Sequence, residues 1–444
     1  MKMASTRAMR ALRPLVLLLT WLMAPPAQGA RALSLADAIA LARQHRSEVA
    51  AAAIDVRLAD LELLRARLQR ARLRVATSFV EQAQRLDLGA PPEICVLSPT
   101  TCDREAHRFE ALATLSVPLW TGLAIEAGIA GARAAREAAV AQERATFNAV
   151  ALDVAQSYWA VRRAELLHDV GAAVLESNRL LEQLTRRKVD AGVAPLVDFN
   201  RAHVLVVRLE QQISSIDAGL GEARAQLGAA LQIDEPVSLT DDPRRLAVRL
   251  PALPEVEGQA LATRAEVGVA RAIVAAQAQA VRAARGAYWP QVALVGQAHA
   301  GNQVFFVPER REALVLSALA GVELSWVPFD SLTTWTAVRE AADRHQRARV
   351  EAERLESQVL AQVRASHARM SGAIARRALV EQAITTQRES VDILRRRYQV
   401  GGALLIELLL AQVDLSQQEF DLVDASVDIA ESQARLDAAI GRLP

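Results

Sequence analysis

The second half of the chain repeats the first at a spacing of about 209 residues, and this constrains the fold more than any other feature. When Arg186-Arg187-Lys188 is laid over Arg395-Arg396-Arg397, Gly192 falls on Gly401, Asp198 on Glu407 and Ala202 on Ala411. Glu222 then falls on Glu431, Leu227 on Leu436 and Ala230 on Ala439. With a one-residue slip, Val117-Pro118-Leu119 meets Val327-Pro328-Phe329. Solenoid repeats are far shorter than this, so the period marks a tandem duplication of one large unit. Each unit reads as a short helix, a strand pair, a very long helix, a glycine turn and a second helix.

Residues 1–30 read as a secretory signal. Lys2, Arg7, Arg10 and Arg13 precede the apolar run from Leu15 to Met23, and small residues follow, with cleavage expected after Gly29 or Ala30. The apolar run is short for an uncleaved anchor. No later stretch is apolar for long enough to make a transmembrane helix, so a membrane crossing would have to be a β-barrel. In an exported chain, Cys95 and Cys102 read as a disulfide closing a Pro-rich loop tip, and two ligands alone make a poor metal site.

The first repeat occupies residues 31–231. Ser34 with Asp37 resembles a capping box and opens a helix expected to run to about Arg72. A strand pair follows over residues 73–120. In its second strand Phe109, Ala111, Ala113, Leu115, Val117 and Leu119 form an apolar face, with Glu110, Thr114 and Ser116 opposite. The next helix runs for roughly 70 residues, or about 100 Å. Ala191-Gly192-Val193-Ala194-Pro195 turns the chain at a tip spanning residues 191–196, and a further helix runs to about Leu231. Residues 232–257 form a Pro- and Asp-rich connector. The second repeat, residues 258–444, has a helix expected to begin near Val256 and run to Arg285, a strand pair over 288–329 and a tip over 400–405. Leu314, Leu316, Ala318, Ala320, Val322, Leu324 and Trp326 alternate on one strand face.

Four amphipathic strands of about 10–13 residues have the length of tilted membrane strands, yet four cannot close a barrel. Strands must then be shared among subunits, and three chains supply twelve. The competing reading is a soluble four-stranded sheet on a helix, which would leave the long helices without partners. Alanine, leucine, glutamine, glutamate and arginine dominate, aromatics are 4%, and the net charge is +1 with the signs interspersed. Such a pattern suits closely packed long helices and argues against a nucleic-acid partner. The seven histidines are dispersed, and no nucleophile, phosphate-loop or dinucleotide motif is present, so neither an enzyme nor a cofactor is expected.

Leu33-Ser34-Leu35-Ala36-Asp37-Ala38, Leu115-Ser116-Val117-Pro118-Leu119, Leu324-Ser325-Trp326-Val327-Pro328-Phe329 and the spacings Gly192…Asp198 and Gly401…Glu407 together resemble the TolC-like outer membrane efflux proteins, over nearly all of the chain after the signal. The resemblance implies a mainly α fold with a membrane β-barrel portion: tandem-duplicated helical hairpins and four strands per chain, in a trimer whose twelve-stranded barrel sits on an α-helical barrel. It implies a passive channel-tunnel in the cell outer membrane with a large periplasmic portion. The implied partners are a periplasmic adaptor and an inner-membrane RND or ABC pump, in efflux or type I secretion. It further implies that Gly192, Val193, Gly401 and Gly402 form tips that meet the adaptor, and that Glu407, Asp198 and Tyr398 gate the tunnel. Ala403 stands where the family's arginine would be, and Leu410 where a second carboxylate would be. For Glu407 and Asp198 taken singly, a solvated helix-face carboxylate and a helix-start charge are the simpler readings. The alternative function is a periplasmic adaptor or structural coiled-coil protein of an export complex.

Overall fold

Ser34 starts the fold as a reciprocal cap. Its hydroxyl accepts the Asp37 N–H at 3.3 Å, and the Asp37 carboxylate accepts the Ser34 N–H at 3.3 Å and its hydroxyl at 2.6 Å. The computed structural model describes residues 31–85, 103–233, 235–246, 249–301, 315–327 and 331–443. The expected signal at residues 1–30, the Cys95–Cys102 pair and Pro328-Phe329 lie outside the described residues.

In chain order the elements are β1 (Arg31–Leu33), α1 (Leu35–His45), α2 (Ser47–Leu68), β2 (Arg72–Arg85), β3 (Asp103–Trp120), α3 (Ala124–Asp190) and α4 (Leu196–Leu231). Then come β4 (Val237–Leu239), α5 (Leu253–Thr263), α6 (Ala265–Arg285), β5 (Gln291–Gly301), β6 (Val315–Ser325), α7 (Ser331–Gln399) and α8 (Leu405–Ala439). The two long helices, α3 and α7, have 67 and 69 residues and each begins a hairpin, α3 with α4 and α7 with α8. Helix α8 also packs on α3 and so joins the hairpins.

Three features correct the sequence reading. The helix expected over 34–72 is broken at Arg46, whose ψ of 124° ends the hydrogen-bond ladder, and the chain leaves α2 after Leu68. The second-repeat helix is broken in the same way at Arg264, with ψ of 125°. Alanine and leucine keep their helical spacing across each break, so periodicity does not register a one-residue kink. The connector, in turn, is not all loop. Its β4 pairs in parallel with β1, and α5 starts at Leu253 inside it. Three-residue strands are too short to show a period of two.

The largest core lies at this level, where Leu33, Ile39, Val154, Trp159, Leu227, Leu231 and Val427 pack around Tyr158. The Tyr158 hydroxyl lies 3.1 Å from the Leu33 carbonyl and 3.0 Å from the Asp241 carboxylate, and it accepts the Asp241 N–H at 3.1 Å. The same carboxylate accepts the Leu35 N–H at 2.7 Å. Burial, with the carboxylate beside it, pushes the phenol up to about 12. Nearer the tips, Arg163 of α3 meets Asp424, Asp428 and Glu431 of α8 at 3.7, 2.7 and 3.1 Å, and Arg376 of α7 also pairs with Asp428.

β2, β3, β5 and β6 form one antiparallel sheet in that order. Its register sorts the side chains. Val75 lies opposite Ala113, Ala113 opposite Ala298, and Ala298 opposite Ala318; Leu73, Leu115, Gly296 and Ala320 make the next row. With Val117, Leu294, Val322 and Leu324 this face is apolar across all four strands. The other face carries Arg72, Arg74, Thr114, Ser116, Gln291, Gln297, Ser317, Glu323 and Ser325. Within one chain the apolar face is uncovered: Leu316 is 77% exposed and Val322 68%. β2 and β3 stay paired to Arg85 and Asp103, past the end of β5 at Gly301, so this ribbon outruns the expected 10–13 residues.

Candidate functional site

The two glycine turns stand at the end of the helical body away from the sheet. In the first, the Val193 and Ala194 N–H groups bond the Lys188 carbonyl at 2.9 and 3.2 Å, and the Gly192 N–H bonds Val189 at 2.9 Å. In the second, the Gly402 N–H bonds Arg397 at 2.8 Å and the Gly401 N–H bonds Tyr398 at 3.2 Å. These bonds satisfy carbonyls in the last turns of α3 and α7 and require a left-handed residue, supplied by Gly192 at φ 71° and Gly401 at φ 79°. Both glycines face open space, so substitution there strains the backbone rather than the packing.

The tips are apolar and solvent-facing. Val193 is 75% exposed and Val400 84%, and Leu196, Leu404 and Leu410 are also exposed. Gly192, Val193, Gly401 and Gly402, expected from the sequence to be the docking tips, all sit on this surface. An apolar surface on two rigid helix ends can seat the apolar side chains of a partner helix.

The expected gate residues have separate surroundings within one chain. Asp198 and Glu407 hold matching places, each in the first turn of the helix that follows a tip, where a carboxylate faces the positive end of the helix. Glu407 is exposed and accepts the Leu404 N–H at 3.3 Å. Asp198 is half-buried, and its side chain makes no hydrogen bond or ion pair among the described residues. Tyr398 is buried among Leu181, Leu405, Leu408 and Leu409. Its hydroxyl is buried and has no hydrogen-bond partner among the described residues of the chain, so the structure makes no Tyr398–Asp198 bond inside one protomer.

What the structure brings to Tyr398 is a residue the sequence reading passed over. The Lys188 ammonium lies 3.9 Å from the centroid of the Tyr398 ring and donates to the Tyr398 carbonyl at 2.7 Å. The two are 210 positions apart in sequence. Lys188 matches Arg397 in the duplication, and only its being the sole lysine after Lys2 set it apart. Beside this contact, Arg186 lies over the Phe199 ring at 4.9 Å and pairs with Asp190 at 3.3 Å, and His203 meets Glu182 at 2.7 Å.

Comparison with known proteins places the chain among relatives. A model of the family described as outer membrane efflux protein matches residues 38–231 and 256–442. Fusaric acid resistance protein FusA of Burkholderia cepacia is 27% identical over 166 residues, which is 36% of this chain and 30% of that relative's length. The fold matches the solved structure of CusC with a TM-score of 0.77, 15% identity and 91% of both chains covered. It matches the outer membrane protein VceC of Vibrio cholerae with a TM-score of 0.73 and 19% identity, over 92% of this chain and 96% of that one. The open state of the MtrE outer membrane channel of Neisseria gonorrhoeae gives a TM-score of 0.74 and 18% identity, over 92% and 88%.

Proposed function

This chain belongs to the outer membrane efflux protein family, and we propose that three copies of it form a passive channel-tunnel that takes substrate from an inner-membrane pump. Like its family, it is an outer membrane protein with a large periplasmic helical portion. The observation that carries the proposal is the sheet. One face is apolar across four strands, and among the described residues the two outer strands, β2 and β6, are each paired along one edge only. In lipid an unpaired edge costs several kcal/mol per lost backbone bond, so the edges must meet others. Four antiparallel strands leave β6 and a neighbour's β2 running in opposite directions, which lets the same pairing continue from chain to chain. Three chains close twelve strands with the apolar face to lipid and the Arg72–Ser116–Glu323 face to water.

The helical hairpins then surround an axis continuous with the barrel. Their apolar tips, Ala191 to Leu196 and Val400 to Leu405, are the surface a periplasmic adaptor grips. In this reading Glu407, Asp198 and Tyr398 lie at the constriction that the tips form. The name of the curated relative refers to fusaric acid resistance, which favours efflux of a small molecule over secretion of a protein. A periplasmic adaptor with a single hairpin would not need the two strand pairs.

The test is export in cells lacking the chain, restored by the wild type and by tip variants. Gly192→Glu and Gly401→Glu should abolish export while heat-resistant trimers still reach the outer membrane. Normal export by both variants would remove the tips as the docking surface.

A further inference from the structure

We propose that Lys188 is the cation that clasps the first tip of each protomer to the second. The proposal rests on the tip-gate reading above and assigns it a residue. Three observations meet at Lys188. Its ammonium donates at 2.7 Å to the Tyr398 carbonyl, which also accepts the Gly401 N–H at 3.2 Å, in the last turn of α7, where a cation is favoured. The ammonium also lies 3.9 Å from the centroid of the Tyr398 ring. Tyr398 is 5% exposed and set in the leucine cluster of Leu181, Leu405, Leu408 and Leu409, so the ring side of the contact is shielded from water, while Lys188 is half-buried.

Lys188 forms no ion pair with any carboxylate among the described residues, so the second tip is its polar partner. The contact joins the ends of α3 and α7, two helices that otherwise touch little; the hairpins meet mainly along α3 and α8. Any movement that parts the second tip from the first must break it. A compact ammonium on a flexible stem can meet a carbonyl and a ring face together.

The chemistry supplies its own probe. Beyond the expected signal, Lys188 is the only lysine, so an amine-reactive ester modifies this side chain and the N-terminal amine alone. Purified trimers of the full mature chain are acylated with such an ester, and Lys188 is read by peptide mass spectrometry. Tyr398→Leu should speed its acylation roughly three- to thirtyfold, the span a shielded cation–π contact carries. Tyr398→Phe keeps ring and carbonyl and should label at the wild-type rate. In planar bilayers Lys188→Met should raise the resting open fraction by a similar factor, and Lys188→Arg should restore most of the closure. Equal acylation in wild type and Tyr398→Leu, or wild-type conductance in heat-resistant Lys188→Met trimers, would overturn the clasp. If Glu407→Gln or Gly401→Glu alters conductance while Lys188→Met does not, the clasp fails and the gate reading stands. If none of these variants alters conductance, both fail.

Discussion

A single arginine moved by one residue along β6 tests which face of the sheet meets lipid. Ala320 is at the centre of β6, opposite Gly296, which is in turn opposite Leu115, all on the apolar face. Gly321 is the next residue, opposite Val295 and through it Ser116, on the polar face. The 11 residues of β6 span about 36 Å along the strand, or about 25 Å along the membrane normal at a tilt of about 45°, which matches the apolar band of a membrane barrel. Ala320 therefore falls near the midplane. An arginine on the lipid face there costs about 2–4 kcal/mol per copy, so about 6–12 kcal/mol for three copies. At Gly321 a new side chain meets no atom within 4 Å, and the arginine enters the water-filled side. The assay is the yield and denaturant midpoint of trimers in lipid vesicles. Ala320→Arg should fail to assemble or lose most of its trimer, while Gly321→Arg should assemble normally and change conductance. Equal damage from the two, or greater damage at Gly321, would refute the assignment of faces.

Two further outcomes follow from the helical body. Glu407→Gln should reduce cation selectivity and weaken block by multivalent cations, because in the proposed trimer three Glu407 carboxylates would converge on one axis and attract cations; unchanged selectivity would move the constriction elsewhere, with exposed Leu410 the first candidate. Tyr158→Phe removes a hydroxyl held between Leu33 and Asp241 and should cost about 1–3 kcal/mol in a denaturant titration. The folded phenol, at about 12, titrates above its ordinary value of 10.0. Its stabilisation is thus complete below pH 10 and is lost as pH rises towards 12, so the Phe variant should lack that part of the alkaline destabilisation.

Much of this fold was legible because its patterns are long. The alternation from Leu316 to Trp326 runs over many residues and has a counterpart from Ala111 to Leu119. Such runs survive any single exception, and so do the helical periods of α3 and α7. Short or distant features were not legible. β1 and β4 have three residues each and meet only after more than two hundred residues of intervening chain. The breaks at Arg46 and Arg264 change one ψ angle and leave the alanine pattern intact. At the site, the duplication marks Gly192, Gly401, Asp198 and Glu407 because like falls on like. It hides Lys188, whose counterpart is another basic residue and whose partner belongs to the other repeat.

The central claim is that the sheets of three chains close into one barrel through β6 of each chain and β2 of the next. Within a chain these strands are separated by β3 and β5, about 14 Å at about 4.8 Å per strand, too far for a disulfide. Cysteines placed at Leu73 or Val75, each combined with one at Ala320, Val322 or Leu324 in a Cys95→Ser, Cys102→Ser background, can therefore bond only between chains. Oxidation in outer membranes should yield a ladder that ends at three covalently joined chains for at least one pair in register. Monomers alone across the whole set, or products that stop at two chains, would contradict closure by three.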